Sequence, residues 1–299
     1  MGFEITFAHT SFLWKNLASH NAGVTVAIVG FGKSKGRTQK LFTVDSDGNS
    51  VAREVDSINA YLVPGKKVIV EKAQKPLNGL PKMNLGNQPY DGNNLIFEPL
   101  EYHQSGLGSG EHRQYTREFY GSSEFIRGTR RFCLWLTDKN VQQAMKLDAI
   151  RKRVERVREW RLASTRVATR AMASRPHQFC EMNNAEHHTI IIPIRSSENR
   201  EYLPVGLLND YCVVSNLAYA LYDVPLWNLS LIASRMHLIW IATVCGRMKS
   251  DYSYSNKMGW NTFPLPKLTE KNKADLTRCA EDILLAREAQ FPATIADLY

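Results

Sequence analysis

Between Thr189 and Leu208 the chain reads TIIIPIRSSENREYLPVGLL, and its densest group of candidate recognition residues lies here. Ile190, Ile191 and Ile192 make a β-branched apolar run that predicts a buried strand. After Pro193 come Arg195, Ser196, Ser197, Glu198, Asn199, Arg200 and Glu201. Tyr202, Leu203, Pro204 and Val205 then return the chain to apolar surroundings. A rigid strand therefore presents a short loop of planar, fork-shaped hydrogen-bonding groups. Arg grips guanine O6 and N7 with two donors, Asn pairs with adenine, and Glu accepts from cytosine. The same residues would also serve as a solvated hairpin tip.

A second concentration of charge precedes it. Thr137 or Asp138 is placed to cap a helix that Leu147, Ile150, Val154 and Val157 predict to reach about Ala173. Its other faces carry Lys146, Arg151, Lys152, Arg153, Arg156, Arg158, Arg161, Arg166 and Arg170 against Asp148, Glu155 and Glu159. Pairs between Arg156 and Glu159 and between Arg151 and Glu155 would neutralise part of this surplus. What is left suits a phosphate backbone, with Arg151, Arg153, Arg156 and Arg158 as the contacts, and suits a solvated face equally well.

Two other likenesses fail on their spacing. Gly30, Gly32, Lys33 and Ser34 after a strand resemble a phosphate-binding P-loop, but Ala27 stands where its first glycine belongs and no helix follows. Asn87, Gln88, Pro89 and Tyr90 resemble the Asn-Pro-Pro-Tyr motif of amino-methylating DNA methyltransferases. Gln88 replaces the first proline, Asp91-Gly92 continues as a turn, and no glycine-rich cofactor loop precedes it. The stretch reads as a structural turn.

Composition bounds the rest. The 299 residues, 43% hydrophobic and 22% charged, describe a folded protein able to hold two packed units. A formal charge of +9 permits a polyanionic partner. No apolar run reaches the roughly 20 residues of a membrane span. The N-terminus, MGFEITFAHTSFLW, has no basic n-region or cleavage site, so nothing suggests export and a cytoplasmic protein is expected. Cys133, Cys180, Cys212, Cys245 and Cys279 lack zinc spacing and read as reduced core thiols. His103 and His112 read as surface residues, and no metal site is expected.

The elements around these residues follow in order. Glu4 to Phe7 and Val24 to Phe31 read as strands, the second buried on both faces, and they suggest the tail of a domain whose body lies upstream. A basic loop leads to a short strand, Leu41 to Val44. Residues 101 to 128 read as a polar, glycine-rich loop, and Thr129 to Leu136 as a strand. Ser230 to Cys245 and Lys271 to Gln290 read as helices, the latter with Leu276, Cys279, Ile283, Leu284 and Ala286 on its apolar side.

Taken in order, FAHTSFLWKN…AGVTVAIVGF, YLVPG, LGNQPYDGNNL, GTRRFCLWL, SSENREYLPVGLL, S-x-M-H-L-I-W…GRMKSDYSYS and NTFPLP resemble the C-terminal part of the MmeI-like type IIL restriction–modification enzymes and their methyltransferase relatives. The resemblance covers nearly the whole chain. It implies a mixed α/β (α+β) architecture: a target-recognition domain with a long basic helix, followed by a mainly helical C-terminal domain. Residues 1–40 would be terminal strands of a methyltransferase domain, 41–212 the recognition domain and 213–299 the helical domain. The family's box around Gly86 usually reads Gly-x-x-Pro-x-Asp-Gly-Gly. Gly86, Pro89, Asp91 and Gly92 match it, with Asn93 in the last place.

The implied function is sequence-specific recognition of duplex DNA for an adenine-N6 methyltransferase. Its catalytic motifs and S-adenosylmethionine would belong to an upstream domain, leaving no catalytic residue and no cofactor in this chain. From the family's Ser-Ser-Glu-x-Arg box, Glu198 and Arg200 carry over as base readers, with Asn199 and Arg195 as weaker candidates. In an extended loop Glu198 and Arg200 would project to one side. The competing readings are an RNA-binding or assembly module and a self-contained methyltransferase.

Overall fold

The computed structural model describes residues 2–14, 24–33 and 38–299. Residues 34–37, which hold part of the basic loop and of the P-loop likeness, lie outside them. The first sheet holds β1 (Glu4–Trp14), β2 (Val24–Gly32), β3 (Gln39–Val44) and β4 (Ser50–Val55) in the order β2-β1-β3-β4. β1 is parallel to β3, and β3 is antiparallel to β4. Continuous pairing carries the sheet to Val55, so a division at residue 40 falls inside β3. Ala8, Leu41, Val55 and Ile58 form a small core on it. Burial of the second strand on both faces is not met. β2 lies at the sheet edge with Val24, Ile28 and Phe31 exposed, because no further layer of the described residues covers them.

The next strands are β5 (Asn84–Leu85), β6 (Ile96–Phe97), β7 (Thr116–Tyr120), β8 (Phe132–Leu134) and β9 (His188–Pro193). They are followed by β10 (Arg195–Ser196), β11 (Gly206–Asn209), β12 (Cys212–Val214), β13 (Ala218–Tyr222), β14 (Gly246–Met248) and β15 (Asp251–Ser253). They make three sheets, β12-β7-β8-β6, β11-β9-β13-β5 and β10-β15-β14. The predicted central strand is β9. Its alternation places Ile190 and Ile192 in one core and Ile191 in another, all without solvent exposure. Burying three such side chains contributes on the order of 1.5–3 kcal/mol each. The segment read as a polar loop contains β7 and contributes Tyr102, Leu107, Tyr115 and Phe119 to the core. A few large apolar residues thus decide the packing of a polar stretch.

The basic helix is shorter than its periodicity predicts. One turn, Val141–Ala144, is followed by a helix at Asp148–Leu162 and a further turn and a half at Val167–Ala171. Leu147 and Arg166 take extended backbone at the two breaks, with ψ of 118° and 121°. Ile150, Val154 and Val157 do face the core, beside Leu134, Leu136 and Phe179.

Arg161 explains the second break. Expected on the cationic face, it is fully buried. Its Nε donates to Tyr90 O (2.9 Å), Nη1 to Met172 O (3.0 Å) and Arg175 O (2.8 Å), and Nη2 to Pro89 O (2.9 Å) and Gln178 O (2.7 Å). All five guanidinium N–H groups meet backbone carbonyls. A straight helix to Ala173 would carry Met172 away from Arg161, so the chain folds back after Leu162. Burial, and secondarily Arg175, lowers the Arg161 pKa to about 10, which leaves it charged at neutral pH.

The C-terminal part packs three helices on the Ile190 side of β9: Trp227–Ala233, Arg235–Val244 and Glu270–Glu288. The single helix expected at Ser230–Cys245 is divided at Ser234, whose hydroxyl accepts from His237 N (3.1 Å) and caps the second piece. Thr269 and Asn272 cap the last helix reciprocally. That helix buries Ala280 and half-buries Ile283 and Leu284, whereas Cys279 and Ala286 are exposed, contrary to expectation. His237 is fully buried against Phe263 (4.7 Å between ring centroids) and hydrogen-bonded to the Tyr254 hydroxyl (2.9 Å).

Two outcomes follow from these buried groups. Arg161→Met leaves five carbonyls without their donor, and urea denaturation should register a loss of about 3 kcal/mol or more. Arg158→Ala, on the exposed face, should stay within about 0.5 kcal/mol. Burial lowers the His237 pKa to about 3, while the unfolded chain protonates near the ordinary value of about 6.5. The unfolded state binds more protons between these values, so this contribution to stability is present above about 6.5 and is lost as pH falls toward about 3. Melting temperatures from pH 7 to 4.5 should fall more steeply for the native protein than for His237→Gln.

Candidate nucleic-acid interface

Strand β9 and the buried side chains of Leu203 and Val205 anchor the two ends of the Arg195–Glu201 loop. Its centre is a turn: Asn199 N donates to Ser197 Oγ (3.3 Å) and Arg200 N to Ser197 O (3.3 Å). A serine side chain competing for backbone N–H groups bends the chain where alternation assumed an extended segment. Glu198 and Arg200 therefore do not share one side.

Glu198 borders a cavity of about 540 Å³ with Thr10, Thr25, Tyr61 and Arg247. Arg200 and Arg195 border another, of about 620 Å³, with Ser122, Arg127 and Asp251. Asn199 faces a third, beside Tyr202, Arg287 and Tyr299. The Arg200 Nε and Ser196 Oγ atoms are buried without a partner among the described residues. Glu198 pairs with Arg247, whose Nη1 lies 3.2 Å from its Oε2. Arg247 and Arg127 had drawn no attention in the sequence. The first lies on the hairpin of β14 and β15, within the stretch GRMKSDYSYS. The alternation around Lys249 and Ser250 was the signal for it.

The basic helix separates its arginines by face. Arg153 turns inward: Nε donates to Asn94 O (2.6 Å), Nη2 to Ile96 O (2.5 Å) and Nη1 to the Glu101 carboxylate. Its guanidinium lies 3.8 Å over the Phe97 ring. As an expected phosphate contact Arg153 is therefore corrected, because its donors already satisfy buried backbone. Arg151 pairs with Asp148 (2.5 Å), not with Glu155, and no Arg156–Glu159 pair forms. Arg156 and Arg158 are exposed and make no ion pair with the described residues.

The Asn87–Tyr90 stretch is wholly structural. Asn87 is fully buried; its Nδ2 donates to Asn183 O (2.9 Å) and Val214 O (3.1 Å), and its Oδ1 accepts from Asn183 N (2.7 Å). Asn87 is thus closed off from solvent with both amide atoms bound to backbone, so these residues do not fit a methyl-transfer site. The family box locks the same turn. A Cβ on Gly86 would stand 2.2 Å from Ser215 O, and Asp91 accepts from Leu95 N (2.6 Å). Gly92, at φ 59°, lies under the Trp160 ring, where a Cβ would meet it at 2.6 Å.

A family model described as "MmeI, target recognition domain" matches residues 64–267. The chain belongs to the MmeI family. A second model, "MmeI, DNA-methyltransferase domain", matches residues 1–43. DNA methyltransferase A of Bacillus subtilis (strain 168) is 37% identical over 298 residues, covering 100% of this chain and 33% of that protein. A solved structure of the type IIL restriction–modification enzyme MmeI in complex with DNA superposes with a TM-score of 0.88 at 34% identity, covering 100% of this chain and 40% of that one. The chain thus spans well under half the length of both relatives. Its mixed α/β fold is that of the MmeI structure. Among the described residues no helix is long and apolar enough to cross a membrane.

Within this MmeI-family chain the two classes of helix arginine should separate by stability alone. Arg153→Ala removes donors from two buried carbonyls and should cost about 1–3 kcal/mol. Arg156→Ala and Arg158→Ala should leave the urea midpoint nearly unchanged. Equal midpoints for all three would show that the Arg153 contacts do not hold the fold.

Proposed function

We propose that this chain is the DNA-reading, C-terminal part of an adenine-N6 methyltransferase of the restriction–modification type. The observation that carries this reading is the loop Arg195–Arg200. It is a turn of guanidinium, carboxylate and amide groups whose backbone is anchored at both ends, by β9 and by Leu203 and Val205, inside a domain of the family's target-recognition type. Groups fixed in place before binding lose little conformational entropy when a base edge arrives.

Arg200 would donate to a guanine edge and Glu198 would accept from a cytosine amine, with Arg195 and Asn199 beside them. Arg156 and Arg158, with Arg151 once released from Asp148, would contact phosphates and set the register without reading sequence. The exposed apolar residues of the first sheet, such as Phe31, fit the end of a methyltransferase domain. That domain would bind S-adenosylmethionine and supply the methyl group. The buried, backbone-bound Asn87 supports placing the chemistry there. A boundary after the first sheet, near Val55, suits the proposal better than one at residue 40. The last helix, Glu270–Glu288, would brace the recognition loop, since Arg287 Nη1 donates to Val205 O (2.6 Å).

Selection of bound duplexes from a randomised pool tests the reading. The purified chain should enrich a short defined motif and should bind RNA of equal length more weakly. Arg156→Ala and Arg158→Ala should each weaken all duplexes alike and make the log–log salt dependence shallower, by roughly 0.9 per lost contact. The isolated chain should transfer no labelled methyl group to any duplex. Methyl transfer by the chain alone, or a pool with no enriched motif, would overturn the proposal.

A further inference from the structure

We infer that Arg247, on the hairpin of β14 and β15, is a positioning residue for Glu198 and thereby determines which base Glu198 reads. The inference rests on the DNA-reading function proposed above. In the small sheet β10-β15-β14, Tyr252 pairs with Ser196 on one side and with Arg247 on the other. The hairpin is thus hydrogen-bonded directly to the strand that opens the recognition loop.

Arg247 is fixed from several directions. Its guanidinium lies 4.8 Å over the Tyr252 ring, and Nη1 donates to Ser250 O (2.7 Å) as well as to Glu198 Oε2 (3.2 Å). Glu198 has no other partner among the described residues, and its carboxylate stands at the tip of an exposed turn. Unpaired, such a carboxylate would sample several rotamers and would be repelled by DNA phosphates. The Arg247 pair offsets both effects. It neutralises the charge locally and holds Oε2, leaving Oε1 for a donor such as a base amine.

Both side chains open on the cavity of about 540 Å³ that Thr10 to Leu13 of the first sheet also line. The base read there would then lie on the side of the molecule that matches the methyltransferase domain.

Site selection with the full chain tests this, using Glu198→Ala, Arg247→Ala, Arg247→Lys and the double alanine variant. Arg247→Ala should lose roughly tenfold discrimination at the same base position as Glu198→Ala. The double variant should be no worse than Glu198→Ala, because the two residues act as a unit. Arg247→Lys, which keeps the charge, should recover part of the preference, whereas a merely structural role would not give recovery at one base position. Loss of affinity for every sequence alike on Arg247→Ala, or an intact preference when Glu198→Ala changes it, would overturn the inference. If Glu198→Ala leaves the preference unchanged while a motif is still enriched, Glu198 is not a base reader and the role of Arg247 falls with it, but DNA reading by the chain stands.

Discussion

A buried guanidinium at the end of the basic helix fixes the frame on which the rest of this protein is built. Arg161 gathers carbonyls from the Pro89–Tyr90 turn and from the returning segment between Met172 and Gln178. Buried carbonyls must find donors, so one side chain decides where the helix ends and how the chain returns. Arginine suits the position because its planar fork offers five donors at once, whereas lysine offers three from a single nitrogen. The charge is retained at neutral pH despite burial. Arg153 repeats the arrangement two turns earlier on Asn94 and Ile96.

These two arginines fix the turn around Gly92 to the helix, and Asn87 fixes the start of the same turn to Asn183 and Val214. The stretch that most resembled a methyl-transfer motif is therefore the junction between the helix layer and the sheets. Its asparagine is conformationally indispensable for the same reason that it is chemically unavailable. Both amide atoms already satisfy backbone.

The recognition loop depends on this frame at one remove. β9 is buried on both faces, which enter different cores, and the loop beyond it is held by the β10 pairing and by Leu203 and Val205. Between those anchors the Ser197 turn distributes Glu198, Asn199 and Arg200 to three different cavities. A small change in the turn would thus redirect several side chains together. The hairpin carrying Arg247 and the helix carrying Arg287 press on the loop from either side, and both come from the last sixty residues of the chain.

What the sequence determined by itself was local or ordered along the chain. Three isoleucines specified a buried strand, and the spacing of Ile150, Val154 and Val157 specified a helix face. The ordered boxes indicated the family. The tertiary structure alone decided which like residues differ in role. Arg153, Arg156, Arg158 and Arg161 have one side chain and one helix, yet two hold the fold and two face outward, because carbonyls from residues 89 to 96 and 172 to 178 meet only one side. The exposure of Phe31, the turn at Ser197 and the pairing of Glu198 with Arg247 were hidden for the same reason. Each depends on a neighbour distant in sequence, and a one-dimensional pattern records periodicity but not which surfaces meet.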